Sequence, residues 1–240
     1  MNVSIFIPCF IDQLYPQTGM NMVKVLERLG CNVDYPKGQT CCGQPACNAG
    51  FQDEARDIAK KFCNDFSHND HFIVAPSGSC VGYITNQYNR LLKHSSAYTQ
   101  FKQIKGRIFE FSDFLVNKMG VSKMNASLNG KASYHDGCGS LRECGIKQAP
   151  RQLLEHVNGL ELIEMKECET CCGFGGTFAV KYEPISIGMA KNKVDSAEAT
   201  GANMIISADM SCLMHIDAYI KKQNKPMKTM HIADVLASGW

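Results

Sequence analysis

No stretch of this 240-residue sequence approaches the roughly 18 consecutive apolar residues that a membrane-crossing helix needs. A transmembrane helix is therefore not expected. Charge imbalance is scarce too: 25 Lys and Arg stand against 23 Asp and Glu, a net charge of +2. Without a basic run to mark a phosphate-binding face, nucleic acid is not an expected partner. Also missing is a glycine-rich fingerprint placed after a strand, as nucleotide binding requires. "CCGFGG" has glycines, but cysteines fill the turn where phosphate would lie. Bound NAD or flavin is not expected. The amino-terminal "MNVSIFIPCF" carries no positive charge ahead of its apolar run and no small-residue cleavage site follows. It reads as a first strand rather than a signal peptide, and the chain as cytoplasmic.

Cysteine is what the sequence does have. There are 13, an odd number, in a chain large enough to build a core without staples. In a reducing compartment such usage points to metal or redox chemistry more than to disulfides. Some must simply be small buried hydrophobes, and Cys31 and Cys63 fall in apolar patterns that suit this.

The cysteines also repeat. Cys9 has a counterpart in Cys138, the pair Cys41 and Cys42 in Cys171 and Cys172, and Cys80 in Cys212. Their surroundings match: "KVLERLGCNVDY" with "QLLEHVNGLELI", "HFIVAPSGSC" with "NMIISADMSC", "FEFSDFL" with "MHIADVL". Two copies of one unit are expected, 1–118 and 131–240, joined by a small, polar linker at 119–130.

Each unit alternates strand and helix. In the first, "VSIFIP", "NVDYP" and "HFIVAP" read as strands. Helical spacing appears at Met22, Val25, Leu26 and Leu29, and again at Ala55, Ile58, Ala59 and Phe62. "CVGYITNQYNRLL" reads as a third helix. The second copy runs the same way through "KASYHD", "APRQLLEHV", "LELIEM", "SIGMAKNKVDSAEA", "NMIIS" and "CLMHIDAYIKK". The fold class is α/β: two tandem, related parallel-sheet units with helices on the faces, about a pseudo-two-fold axis.

In such sheets the carboxyl ends of the strands share one edge, where sites form. Cys9, Cys41, Cys42 and Cys80 each follow a strand and are expected to converge there. The same holds for Cys138, Cys171, Cys172 and Cys212. Helices beginning nearby would stabilise thiolates. Four thiolates make a soft-metal site, for zinc in a tetrahedron or for an iron–sulfur cluster. Adjacent cysteines reach two vertices of one small tetrahedron with difficulty, because their side chains diverge. They fit different irons of a cluster more easily. Gly43 and Gly173 then serve a close turn, with positive φ.

A cysteine, then Cys-Cys-Gly, then a further cysteine, twice over, resembles the CCG cysteine-rich domain found in heterodisulfide reductase and in glycolate oxidase iron–sulfur subunits. With "IPCF" near its start and "SYHDGCGSLRECGI" opening its second half, the chain resembles the lactate utilization protein A family over nearly its whole length. The resemblance implies an NAD-independent iron–sulfur oxidoreductase subunit, taking part in oxidation of L-lactate to pyruvate. It implies companion lactate-utilization proteins, one carrying ferredoxin-like cysteine motifs, and a complex that is cytoplasmic or peripheral to the membrane. It implies [4Fe–4S] clusters on the eight cysteines named above. One departure matters: where the heterodisulfide reductase pattern has the first cysteine of a Cys-x-x-Cys, this chain has Ser77 and Asp209. Each site has four matched cysteines rather than five, so an ordinary cluster is expected. Ser77 or Asp209 could supply an oxygen ligand, but capping the helices that follow them is the plainer role for both.

Two other functional classes fit the same cysteines. One is a zinc-stabilised structural or assembly component. The other is a dithiol–disulfide oxidoreductase, for which "CETC", residues 168–171, is the nearest motif. Against it, Cys171 already belongs to the repeat, and Gly38 stands where Cys168 would have its counterpart. Cys47 and Cys144 lack repeat partners. His135 and His215 lie near the second site, and hydrogen bonding is the plainer role for both. Asp136 and Arg142 are the residues nearest the motifs that suit a hydroxy-acid carboxylate or hydroxyl, with a surface role plainer for Arg142.

Overall fold

The computed structural model of the chain describes residues 1–239. The first sheet is built from β1 (Asn2–Ile5), β2 (Asn32–Asp34), β3 (Phe72–Ala75) and β4 (Ile108–Glu110). The second contains β5 (Ser127–Tyr134), β6 (Asn158–Leu162), β7 (Met204–Ser207) and β8 (Lys228–His231). Both are wholly parallel, in the matching orders β2-β1-β3-β4 and β6-β5-β7-β8. Helices cover both faces, so the inner strands are nearly continuous apolar runs: β7, Met204 to Ser207, is buried at every residue.

The sequence reading of an α/β fold made of two similar units matches this architecture. Two details differ. Each sheet has a fourth strand, short and closed at once by a helical turn, so it carries too few residues for a periodic pattern. And Ser127–Gly130, inside the polar stretch expected to be a linker, already pair in β5, which bulges between Ser127 and Gly130. Backbone pairing to β6 holds these residues where their own side chains do not.

The two units do not have separate cores. One apolar cluster runs through both, from Val3, Ile5, Met22 and Leu26 of the first to Ala132, Tyr134, Leu153 and Ile206 of the second. Two further clusters lie outboard. One holds Phe6, Phe62, Phe66 and Tyr88 on the first unit; the other holds Met165, Val194, Ile205 and Ile216 on the second. The contacts across the seam are reciprocal. Helix Pro16–Arg28 packs on helix Ile232–Leu236, and helix Gln148–Leu154 packs on Phe111–Lys118. Asp234 accepts hydrogen bonds from Thr18 and Asn21 at 2.9 and 2.8 Å.

Two glycines let the seam close. A Cβ on Gly78 would stand 1.8 Å from Ser140 Oγ, and one on Gly139 would stand 2.5 Å from the Cα of Ser79. Helix Gly78–Leu91 therefore lies directly against the helical turn Gly139–Glu143. Ser77 and Asp209 form an isolated antiparallel bridge at the same place.

Candidate metal centres

Cys9 opens helix Cys9–Leu14 just past β1, Cys41 and Cys42 lie in the loop after β2, and Cys80 sits in the first turn of helix Gly78–Leu91 after β3. Parallel strands bring all four to one edge. Cys9 Sγ lies 3.7 Å from Cys41 Sγ, and Cys42 Sγ lies 3.5 Å from Cys80 Sγ. In the second unit Cys138 meets Cys171 and Cys172 meets Cys212 in the same pairwise pattern.

The Cys-Cys-Gly turns are built alike. Gly43 and Gly173 have φ of +88° and +94°, a region closed to most side chains; Gly43 leads straight into helix Gln44–Asn48, while three residues separate Gly173 from helix Thr177–Lys181. Their N–H groups donate to Cys41 Sγ and Cys171 Sγ, both at 3.4 Å. Tyr88 Oη anchors the first turn by donating to the Cys42 carbonyl at 2.7 Å. Ser186 Oγ anchors the second through the Gly173 carbonyl at 2.8 Å. His215 stands behind Ser186, Nε2 to Oγ 3.1 Å, so this histidine supports the turn rather than facing the cavity.

Each quartet holds one stabilised thiolate. Donation from the Cys42 and Cys9 thiols and from Gly43 N–H pulls Cys41 down to about 3. Cys171 falls to about 2, through Cys138 and Cys172 and then Gly173 N–H. The donating thiols Cys9, Cys42, Cys138 and Cys172 are pushed up in turn by the neighbouring sulfur and by burial. Clustered soft donors of which one is already ionised fit a soft metal or an iron–sulfur group; they do not suit Ca²⁺ or Mg²⁺, which want oxygen.

All eight of these cysteines line a single cavity of about 520 Å³ between the units. Phe10 and Phe174 meet edge-on across it, ring centroids 5.7 Å apart, and Ser77, Ser79 and Asp209 reach its wall. Cys31 and Cys63 are buried in the apolar clusters. Cys47, Cys144 and Cys168 stay outside the cavity wall: Cys47 contacts Gln52, and Cys144 contacts the Gly78 carbonyl at 3.5 Å.

Two polar residues depart from expectation. Ser77 caps its own helix, accepting from Cys80 N at 3.4 Å, but Asp209 does not cap the helix it precedes. Its carboxylate crosses the seam to Ser79 N at 2.9 Å and Ser79 Oγ at 3.1 Å. Ser211 Oγ, on its own helix, also donates to it at 2.8 Å, so the carboxylate joins the starts of both helices. His135 is fully buried, and neither ring nitrogen has a hydrogen-bond partner. One of its nitrogens and the sulfurs of Cys172 and Cys212 lie within 4.8 Å of one another, a spacing that a single metal could join. Asp136 is committed to a buried, bidentate pair with Arg151 at 2.7 and 2.8 Å, and Arg142 is exposed. Lys193, buried on helix Glu183–Glu198, is a residue sequence reading passed over. It lies on the apolar stripe of a helix, where a lone lysine gives no signal.

The cysteine-rich domain known as CCG matches the chain twice, at residues 3–85 and 132–217. Over all 240 residues the sequence is 43% identical to "Lactate utilization protein A 2" of Bacillus cereus (strain AH820), covering 99% of that protein. It belongs to the lactate utilization protein A family. A second family member, "Lactate utilization protein A" of Halalkalibacterium halodurans, is 45% identical over 237 residues, 98% of this chain and 96% of that one. Among solved structures, a hypothetical protein from Helicobacter pylori superposes with a TM-score of 0.63 at 11% identity, over 100% of this chain and 49% of that one. That likeness is one of fold alone. The paired CCG matches fall on the two units whose strand ends carry the quartets.

Proposed function

We propose that this chain is an iron–sulfur subunit in the oxidation of L-lactate to pyruvate. In this reading it carries electrons within an assembly of companion lactate-utilization proteins, one of them ferredoxin-like. The observation that supports the reading is the meeting of two cysteine quartets on one cavity, in a chain whose relatives are named for lactate utilization. Cys9, Cys41, Cys42 and Cys80 hold one cluster and Cys138, Cys171, Cys172 and Cys212 another, of the [4Fe–4S] kind.

Such a group supplies one-electron chemistry when bound. The chain's own part is to keep a thiolate ready at Cys41 and Cys171 and to fix the Cys-Cys-Gly turns through Tyr88 and Ser186. Phe10 and Phe174, in edge-on contact, add apolar wall to the cavity. Lactate oxidation releases two electrons and two protons, and two single-electron centres over one cavity match that stoichiometry.

The test is an anaerobic preparation analysed for iron, sulfide, zinc and visible absorption. Iron with sulfide supports the proposal. Zinc without sulfide would make the chain a structural or assembly component, and metal-free protein with a reducible thiol pair would make it a dithiol oxidoreductase. Cys42→Ser and Cys172→Ser should each remove about half of the iron, while Cys63→Ser should leave it intact; full iron in both of the first two would refute the ligand assignment. A strain lacking the chain, with no other lactate dehydrogenase, should fail on L-lactate and grow on pyruvate. Cys42→Ser at normal protein level should not rescue it.

A further inference from the structure

The quartets match in their cysteines but not in what stands behind them. Gly43 packs on Ala55 and Ile58, and Gly173 packs on Ser186 and Met189, which sets the two supporting helices in register. In that register Phe62 corresponds to Lys193. On the first strands, Phe6 corresponds to His135. Phe6 and Phe62 are buried and meet edge-on, with centroids 5.1 Å apart, and Phe66 closes on them at 5.9 and 4.6 Å. The first quartet therefore has a wall of hydrocarbon.

In the second unit the same two positions are polar. His135 and Lys193 are 0% and 1% exposed. The Lys193 ammonium donates to the carbonyls of Glu167 and, at 3.3 Å, Cys168, in the loop leading to the Cys-Cys-Gly turn. Its charge acts on His135 and on Cys168 and Cys172, and the carboxylates of Glu167 and Asp136 act on it in turn. Neither ring nitrogen of His135 has a partner, and one of them lies within 4.8 Å of the sulfurs of Cys172 and Cys212, where it can offer them an N–H. A buried lysine held by neutral carbonyls, beside a histidine with no partner, is costly unless negative charge lies close by.

A cluster on four thiolates is an anion, and each added electron makes it more so. An apolar wall disfavours the added charge; a cation and an N–H donor favour it. Exposure does not separate the two centres, because both open on the same cavity. We propose that the centres are electronically unequal: the second, backed by His135 and Lys193, has the higher reduction potential, and the first, backed by Phe6 and Phe62, the lower. A single electron given to the loaded protein by dithionite resides on the second centre. His135 and Lys193 act as positioning residues through the field and hydrogen bond they present, not as ligands. The inference rests on the iron–sulfur reading.

The experiment is a redox titration of the anaerobically loaded full-length chain, followed by electron paramagnetic resonance. Iron and sulfide are assayed first. If neither is taken up, the iron–sulfur reading falls, and this inference with it. With both centres loaded, the signal that survives in Cys42→Ser belongs to the second centre and the one that survives in Cys172→Ser to the first. At one reducing equivalent per chain, where the potential sits midway between the two midpoints, the second centre should be reduced in about tenfold excess or more over the first, a gap of about 118 mV at about 59 mV per tenfold for each one-electron couple. Lys193→Met and His135→Phe should each lower the second midpoint and leave the first in place. His135→Gln, which keeps an N–H donor, should lower it less than His135→Phe. Equal midpoints in the unmodified chain, or a higher one at the first centre, overturn the inference with no wall substitution needed. A second midpoint unmoved by every wall variant that loads overturns the assignment to His135 and Lys193.

Discussion

Gly43 and Gly173 hold the same left-handed turn, yet they should not tolerate alanine equally. A Cβ on Gly43 would stand 3.2 Å from the movable side chain of Ile58; on Gly173 it would stand 2.7 Å from the Ser186 carbonyl and 2.8 Å from Met189 Cβ. In both, alanine in left-handed geometry costs about 1–2 kcal/mol, and Gly173→Ala adds overpacking of about 1–3 kcal/mol. Denaturant unfolding of the metal-free protein should rank Gly173→Ala well below Gly43→Ala in stability. Glu110 offers a second test. It is fully buried, Oε2 accepts from Ser112 and Asp113, and Oε1 has no partner. Burial raises it from 4.5 to about 7. Between those values the unfolded chain has released a proton that the folded chain still holds, so rising pH favours unfolding. The loss is roughly 3 kcal/mol across that window. Glu110→Gln should remove it. The stability of the unmodified protein relative to Glu110→Gln should fall from pH 4.5 to 7; a difference flat in pH would contradict the assignment.

At the scale of elements, the strand-to-helix junctions carry the site, and the two that follow β3 and β7 are not equivalent. Ser77 caps locally, while Asp209 is 2% exposed and caps across the seam, with Ser211 also donating to it at 2.8 Å. Ser77→Ala should cost about 1 kcal/mol, as ordinary caps do. Asp209→Ala should cost more, about 2–3 kcal/mol, because a charged acceptor is lost and the Ser79 donors are left behind. A double-mutant cycle between Asp209→Ala and Ser79→Ala should give a coupling of about 1 kcal/mol or more. No coupling would mean that the seam hydrogen bonds contribute nothing. What was legible in the sequence also lives at this scale. Repeated cysteines and apolar periodicity gave the strand–helix order and brought the quartets to one edge. A carboxylate choosing between two helix ends, or a histidine left without a partner, depends on distances across the seam, and no local spacing encodes those. The strands β4 and β8 escaped for a related reason. They pair for only a few residues and turn at once into helices capped by Glu110 and His231, so neither completes a period.

For the molecule as a whole, the shared core decides how the units can behave. Val3, Ile5, Met22 and Leu26 are shielded in part by Ala132, Tyr134, Leu153 and Ile206, and each unit alone would expose this surface. Residues 1–118 and 131–240 expressed separately should each be insoluble or self-associate, and co-expression should recover a soluble pair. Monomeric, cooperatively folding halves would show the outboard clusters to be sufficient by themselves. No helix among the described residues is long and apolar enough to cross a membrane.

The reciprocal seam, helix Pro16–Arg28 on Ile232–Leu236 and Gln148–Leu154 on Phe111–Lys118, has the contact pattern of an isologous dimer whose two copies now lie in one chain. In a dimer of identical copies every substitution is made twice, so the surroundings of both cysteine quartets change together. Covalent fusion lifts that restriction. One copy is then free to carry histidine and lysine where the other carries two phenylalanines, and a molecule inherited as a pair of equals acquires a direction.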